Sequence, residues 1–193
     1  MIRQVFTLSS IAFVVIALGC SRQGPSGEEP APTRRFVSVG TAPPGGAFFV
    51  VGSALSEVLA EALGDQGWQV TAEATKGTQE NIRRLASGEL DFALANAAIN
   101  YFAVRGESGW EQAYPMRSVM TLAPNIALFV TTVGSGIESI ADLKGRRIVL
   151  GPAGAGFDYF LKPILAAHGV TYAELTELHN TQSGAVTMLA DGS

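Results

Sequence analysis

Apolar and polar positions change their period several times along this chain. Phe36, Val37 and Val39 lie in a short alternating run and read as a strand ending at Gly40. Pro43-Pro44-Gly45-Gly46 cannot continue it, because the prolines lack donors and the glycines favour turns. From Ala47 onward the period becomes helical, with Val51, Leu55, Val58, Leu59 and Ala62 on a recurring stripe. Gly64 and Gly67 mark the next turn, and Trp68 to Ala74 alternates as a second strand. Thr75 to Thr78 is a short loop with Thr78 as the candidate N-cap and Glu80 in the first turn of the helix that follows. Ile82, Leu85 and Ala86 give that helix its buried stripe, and Gly88 ends it. Asp91 to Ala95 reads as a third strand, Asn96 stands at its end, and Ala97 to Val104 is helical again.

Three strand–loop–helix units in series imply a largely parallel sheet with right-handed crossovers. Ligands of such sheets bind beyond the carboxyl ends of the strands. The loops Thr41 to Phe48, Thr75 to Thr78 and Asn96 to Ala98 therefore belong to one edge. A helix N-terminus leaves amide N–H groups free and carries partial positive charge, so this edge suits an anion.

Gly106 to Pro115 is a polar loop carrying Trp110 and Tyr114. Met116 to Leu122 and Ile126 to Thr132 read as two further strands, the second buried on both faces because Ile126 to Val130 is continuously apolar. A second part begins near Gly134. A helical turn and a strand ending at Leu150 lead to the turn Gly151 to Gly156 and a helix from Phe157 to His168, with Phe160, Leu161, Ile164 and Leu165 on one side. Leu175 to Leu178 is a candidate strand, Asn180 to Ser183 a loop, and Gly184 to Ala190 a helix. The second part thus repeats the architecture of the opening stretch, and its last unit has only begun when the chain stops at Ser193, which reads as a C-terminal truncation.

The first residues are an address. Arg3 precedes an apolar run, Val5 to Leu18, too short for a comfortable membrane span. Ala17-Leu18-Gly19-Cys20 resembles a bacterial lipobox, with Ala17 where leucine is usual, and the resemblance implies cleavage before a lipidated Cys20. A plain signal peptide with an incidental cysteine and an uncleaved anchor are the other readings. Ser21 to Arg34 is rich in Gly, Ser, Pro and Glu and reads as a flexible tether. The organisation expected is a lipoprotein signal over 1–19, a tether over 20–34, a first α/β lobe with the start of a hinge over 35–132, and a partial second α/β lobe over 133–193.

Composition narrows the function. With 193 residues, 47% hydrophobic and 16% charged, the chain can bury a sizeable core. A net charge of −4 argues against a nucleic-acid surface. Cys20 is the only cysteine, and His168 and His179 are the only histidines, so no intrachain disulfide and no metal site is expected. No cofactor is expected either. Gly151 to Gly156 lacks the Lys-Ser/Thr of a phosphate-binding P-loop and is not a dinucleotide fingerprint. His168 ends a helix, and His179 beside Asn180 is the one weak acid–base candidate, so no catalytic residue is nominated.

Four stretches in order carry a resemblance to the TAXI family of solute-binding proteins, which serve tripartite ATP-independent periplasmic (TRAP) transporters. Gly40-Thr41 and Gly45-Gly46 before Ala47-Phe48-Phe49 resemble the family's G-T-G-x-x-G-G-x-Y-Y. Ala74 to Asn81 resembles A-T-G-G-S-x-E-N, and Leu85 to Ala93 resembles L-x-x-G-E-x-D-x-A. Ile140 to Gly156 resembles S-x-x-D-L-K-G-K-R-V-x-x-G-x-x-G-S-G, a motif shared by many type II periplasmic binding proteins. The resemblance implies a two-lobed α/β type II periplasmic-binding-protein fold, its second lobe incomplete in this chain. It also implies a small organic anion as ligand, an amino acid or carboxylate, and delivery to TRAP permease subunits from the periplasm or cell surface, with the membrane reached through the lipid on Cys20. The candidate ligand residues are Thr41, Gly45, Gly46, Ala47, Phe48, Lys76, Thr78, Asn96, Gly154, Ala155, Gly156 and Phe157.

The sequence departs from the pattern at Pro43-Pro44, at Phe48-Phe49 in place of tyrosines, at Lys76 in place of glycine, and at Asn96 where glutamine is common. Lys76 reads either as a fixed cation for an acidic ligand or as a solvated loop lysine. Phe48 and Phe49 could enclose ligand carbons or anchor the core. A surface-anchored sensor built on the same lobes, or an enzyme on the same fold, are the alternatives.

Overall fold

The computed structural model describes residues 33–193; the signal, Cys20 and the tether as far as residue 32 lie outside the described residues. Two parallel sheets organise the described chain. In the first, β1 (Arg35–Gly40) is central. It pairs along its whole length with β2 (Trp68–Glu73), from Arg35↔Trp68 to Gly40↔Glu73. On its other side β3 (Phe92–Ala93) pairs through Val39↔Phe92 and Gly40↔Ala93. The order is β2-β1-β3. α1 (Ala47–Leu63) carries the chain from β1 to one flank, and α2 (Thr78–Ala86) carries it from β2 to the other. α3 (Ala97–Arg105) follows β3. The second sheet pairs β4 (Arg147–Leu150) with β5 (Thr176–His179) in parallel, from Arg147↔Thr176 to Leu150↔His179. Its strands are followed by α4 (Asp158–Ala167) and α5 (Gln182–Asp191).

Two apolar clusters hold these pieces. One joins Ile82 of α2, Ile99 and Ala103 of α3, Trp110 and Tyr114, with Phe102, Met116, Tyr159 and Phe160 packed against it. The other joins Leu143, Leu165 and Val170, with Ile137, Ile140, Ile148, Tyr172 and Leu175 around them. Trp110 and Tyr114, which sit in a polar stretch of sequence, are thus core residues, and the Tyr114 amide is held by the carbonyl of Ala103 at 2.9 Å.

Several expected boundaries move. No ladder forms over Met116 to Leu122 or Ile126 to Thr132, and the residues expected to be buried there are exposed, Leu128 at 80% and Val130 at 72%. Apolar composition supplies a strand's surface but not its partner, and no described segment runs alongside to satisfy the backbone. The N-cap of α2 is Gly77 rather than Thr78, because Gly77 holds the non-helical conformation (φ 120°) and Thr78 is already helical. β3 shortens from Asp91–Ala95 to two residues, β5 slides one residue to Thr176–His179, and α5 starts at Gln182 rather than Gly184 because Thr181 caps it.

Candidate functional site

The carboxyl end of β1 is fixed by a small buried network. Thr41 is fully buried; its amide (2.9 Å) and its hydroxyl (2.7 Å) both donate to the carbonyl of Glu73 at the end of β2. The Thr41 carbonyl accepts from Thr75 Oγ1 at 3.0 Å and from Asn81 Nδ2 at 2.9 Å. The same Asn81 amide donates to Leu94 at 2.8 Å, just past β3. One buried carboxamide therefore ties together the ends of β1 and β3, the strands on either side of the point where the strand order turns back. That reversal is where open parallel sheets form a crevice. Gly40 permits this packing: a Cβ there would stand 2.5 Å from Leu90 Cδ1 and 2.8 Å from Asn81 Oδ1. Its role is close approach rather than a tight turn.

The loops above these ends differ in how they treat the first helical amides. Gly46 caps α1 without any side-chain bond, its own amide held by the Pro43 carbonyl at 3.0 Å. The amides of Ala47 and Phe48 then lie in the first turn, where no intrahelical partner exists. Ala47 is exposed, and Phe48 and Phe49 are half-buried. At α2 the Gly77 amide donates to Thr75 Oγ1 (3.1 Å), and the buried Thr78 hydroxyl accepts from the Asn96 amide (3.1 Å). Lys76 is exposed; its amide donates to the Glu80 carboxylate, and its ammonium makes no ion pair among the described residues. Asn96 caps α3, its Oδ1 accepting from Ala98 (2.9 Å) and Ile99 (3.3 Å).

In the second half, Ala155 and Gly156 are buried, Gly154 is exposed, and the Phe157 ring packs over Gly151 and tilts against Phe160 with 5.4 Å between centroids. His179 stays exposed, but its Nδ1 is 3.1 Å from the Gly151 carbonyl, so that nitrogen carries the proton in this bond and ties the ends of β4 and β5.

These loops face one another. A Cβ built on Gly77 would touch the Ala155 methyl at 3.5 Å, and one on Gly156 would meet Ile99 Cδ1 at 2.8 Å and Gln79 Cγ at 3.1 Å. One on Gly45 would collide with Ser183 Oγ, and one on Gly46 would stand 3.5 Å from Gln182 Oε1. The structure so brings Gly45 and Gly46 to the start of α5, and Gly77 and the Thr78 turn to Ala155 and Gly156. Thr41 lies beneath the first loop, and Phe157 turns toward its own sheet.

Charge separates the helix ends. α2 and α4 carry an acid in the first turn, Glu80 and Asp158, which oppose an incoming anion. α1, α3 and α5 carry none. The Asn96 side chain already occupies two amides of α3. The Thr181 hydroxyl takes the Gly184 amide of α5; the uncapped start of α1 and the earlier amides of α5, which face each other, are left open to negative charge. Gln182 and Ser183 are the site residues the sequence reading missed. The readable signal was Thr181, an N-cap type directly after a strand, which places both residues in a first turn rather than a loop. Among the described residues no group of three or more His, Cys, Asp or Glu is placed to hold a metal.

Residues 39–193 match the model of a family described as NMT1-like. Among solved structures, the alkanesulfonate-binding protein SsuA from Xanthomonas axonopodis pv. citri, bound to MOPS, is 19% identical with a TM-score of 0.52, over 85% of this chain and 52% of that one. The periplasmic aliphatic sulphonate binding protein SsuA from Escherichia coli is 14% identical with a TM-score of 0.47, over 83% of this chain and 49% of that one. The chain spans about half the length of these proteins. The first likeness is one of fold: the chain has the α/β architecture of a periplasmic binding protein, built from two lobes around the two sheets.

Proposed function

The chain belongs to the NMT1-like family, and from that premise we propose that it is an extracytoplasmic solute-binding receptor. It captures a small organic anion between its lobes and delivers it to a membrane permease, binding without chemistry. The observation that carries this reading is the pair of facing helix starts, Gly45–Phe48 on α1 and Thr181–Ser183 on α5, neither with an acid in its first turn. Amide N–H groups and aligned peptide dipoles there bind a carboxylate or a sulfonate without a fixed counter-charge. Lys76, exposed at the mouth beside Gly77, adds the one flexible cation of the nominated set. Thr41, Thr78 and Asn96 set the loops, Ala47 and Phe48 line the approach, the exposed Gly154 stands on the opposite side, and Ala155, Gly156 and Phe157 support the second wall from within.

The motifs Ala74–Asn81 and Leu85–Ala93 support the finer reading, a TAXI-type receptor working with a TRAP permease. Lipidation of Cys20 would hold the receptor at the membrane in the periplasm or on the cell surface. A thermal-shift screen of amino acids, other carboxylates and alkanesulfonates tests the ligand class. We expect stabilisation by a subset of these anions, and a loss of about tenfold in affinity in Lys76→Glu, one opposed charge near the ligand. Stabilisation only by neutral solutes would contradict it. Cys20→Ala is expected to move the protein from the membrane to the soluble fraction; a variant that stays with the membrane would favour an uncleaved anchor.

A further inference from the structure

Among the places where the two halves touch, one is aromatic. Tyr159, in the first turn of α4 in the second lobe, meets two aromatic rings of the first lobe. Its ring is stacked on Phe102 of α3 with centroids 6.0 Å apart and 26° between planes, and on Trp110 with 6.0 Å and 27°. Tyr114 meets Trp110 edge-on at 5.2 Å, and the Arg83 guanidinium lies 5.0 Å from the centre of the Trp110 ring. Phe160, one residue on, packs against the same cluster. Gly156 allows α4 to come this close, since any Cβ would press on Ile99 and Gln79. By contrast, the contacts on the α1 side of the cleft are between a glycine turn and the ends of Gln182 and Ser183. Near-parallel aromatic pairs at this spacing contribute about 0.5–1.5 kcal/mol each beyond the area they bury, and both of these pairs are lost if α4 moves away from α3.

We propose that Tyr159 is a latch that holds the two lobes together before any solute arrives. In this role the paired aromatic contacts set the proportion of open molecules, and with it the rate at which a solute enters and the fraction of receptors competent to take it. The rest of the second lobe's core, around Leu143, Leu165 and Val170, does not involve Tyr159. The second lobe therefore keeps its own packing when the latch is removed.

The test reads the distance between lobes and uses no ligand, so its outcome is independent of whether the solute-binding reading is right. In a Cys20→Ser background, spin labels at Val58→Cys on α1 and Val186→Cys on α5, both strongly exposed, report the separation by double electron–electron resonance. The chain with Tyr159 and the Tyr159→Phe variant are expected to share one short, narrow distribution. Tyr159→Ala and Tyr159→Leu are expected to gain a longer component, with the open-to-closed ratio raised about tenfold by loss of both stacks. Far-UV circular dichroism should be unchanged. Distributions in Tyr159→Ala and Tyr159→Leu that match the unsubstituted chain would overturn the latch. So would cooperative loss of secondary structure in both, which would make Tyr159 a core residue of one indivisible domain.

Discussion

Asn81 has no route to solvent, and its Nδ2 makes two bonds to main-chain carbonyls. Replacing it with leucine keeps the bulk and removes both donors, leaving the buried Leu94 carbonyl without its side-chain partner and the Thr41 carbonyl held by Thr75 alone. Asn81→Leu is expected to cost about 2–4 kcal/mol, read as a lower midpoint in urea with the slope unchanged. A second comparison separates two reasons for glycine at the cleft. Gly154 and Gly156 both hold positive φ, at 81° and 95°, but open space surrounds the first and Ile99 and Gln79 crowd the second. Gly154→Ala should cost about 1 kcal/mol for backbone strain alone, and Gly156→Ala about 1–3 kcal/mol more because the neighbours must move. Equal costs in thermal unfolding would show that the crowding is relieved freely. Sequence could indicate glycine before a helix, but only the packed structure distinguishes these two positions, because the crowding atoms come from α2 and α3.

The short elements of the second lobe are fastened by carboxylates. Ser139 and Asp142 form a capping box at the 3-10 turn Ile140–Leu143, and Thr171 and Glu174 form another at Tyr172–Glu174. The bond from the Ser139 hydroxyl, then the Glu138 and Ser139 amides, hold the Asp142 carboxyl below its ordinary value of 3.8. The Thr171 amide, then Lys144 and the Thr171 hydroxyl, do the same for Glu174 below 4.5. Both folded values are depressed, so the stabilisation is whole above those ordinary values and is lost as pH falls through the lowered ones. Acid should therefore loosen these turns, with Asp142→Asn and Glu174→Gln flattening the acid limb of the thermal stability curve. Met116 to Leu122 and Ile126 to Thr132 make the opposite case. Their apolar pattern predicts strands, yet they pair with nothing described. Their amides are expected to exchange with deuterium within seconds while those of β1 are protected, and strong protection over 116–122 and 126–132 would show a ladder after all. Helices and strands with their own period were legible because local pattern sets them. These two were misread because a strand depends on a neighbour that local sequence does not contain.

At the scale of the molecule, two parallel units meet with their strand-end loops face to face. The glycine-rich turns and the helix periods carried that architecture in the sequence, since a strand, a turn and a helix in series force parallel pairing. The partner of each loop was not legible. Gly45 meets Ser183 across 138 positions of chain, and Tyr159 reaches Trp110, through packing that no local window contains. The central claim is that the facing starts of α1 and α5 receive a small organic anion. Titration of the isotope-labelled chain with carboxylates and alkanesulfonates, followed by amide resonances, tests it most directly. Saturable shifts are expected to centre on the amides of Ala47, Phe48, Gln182 and Ser183. Saturable binding of an anion that leaves those four amides unmoved, or no saturable binding by any anion of the panel, would contradict it.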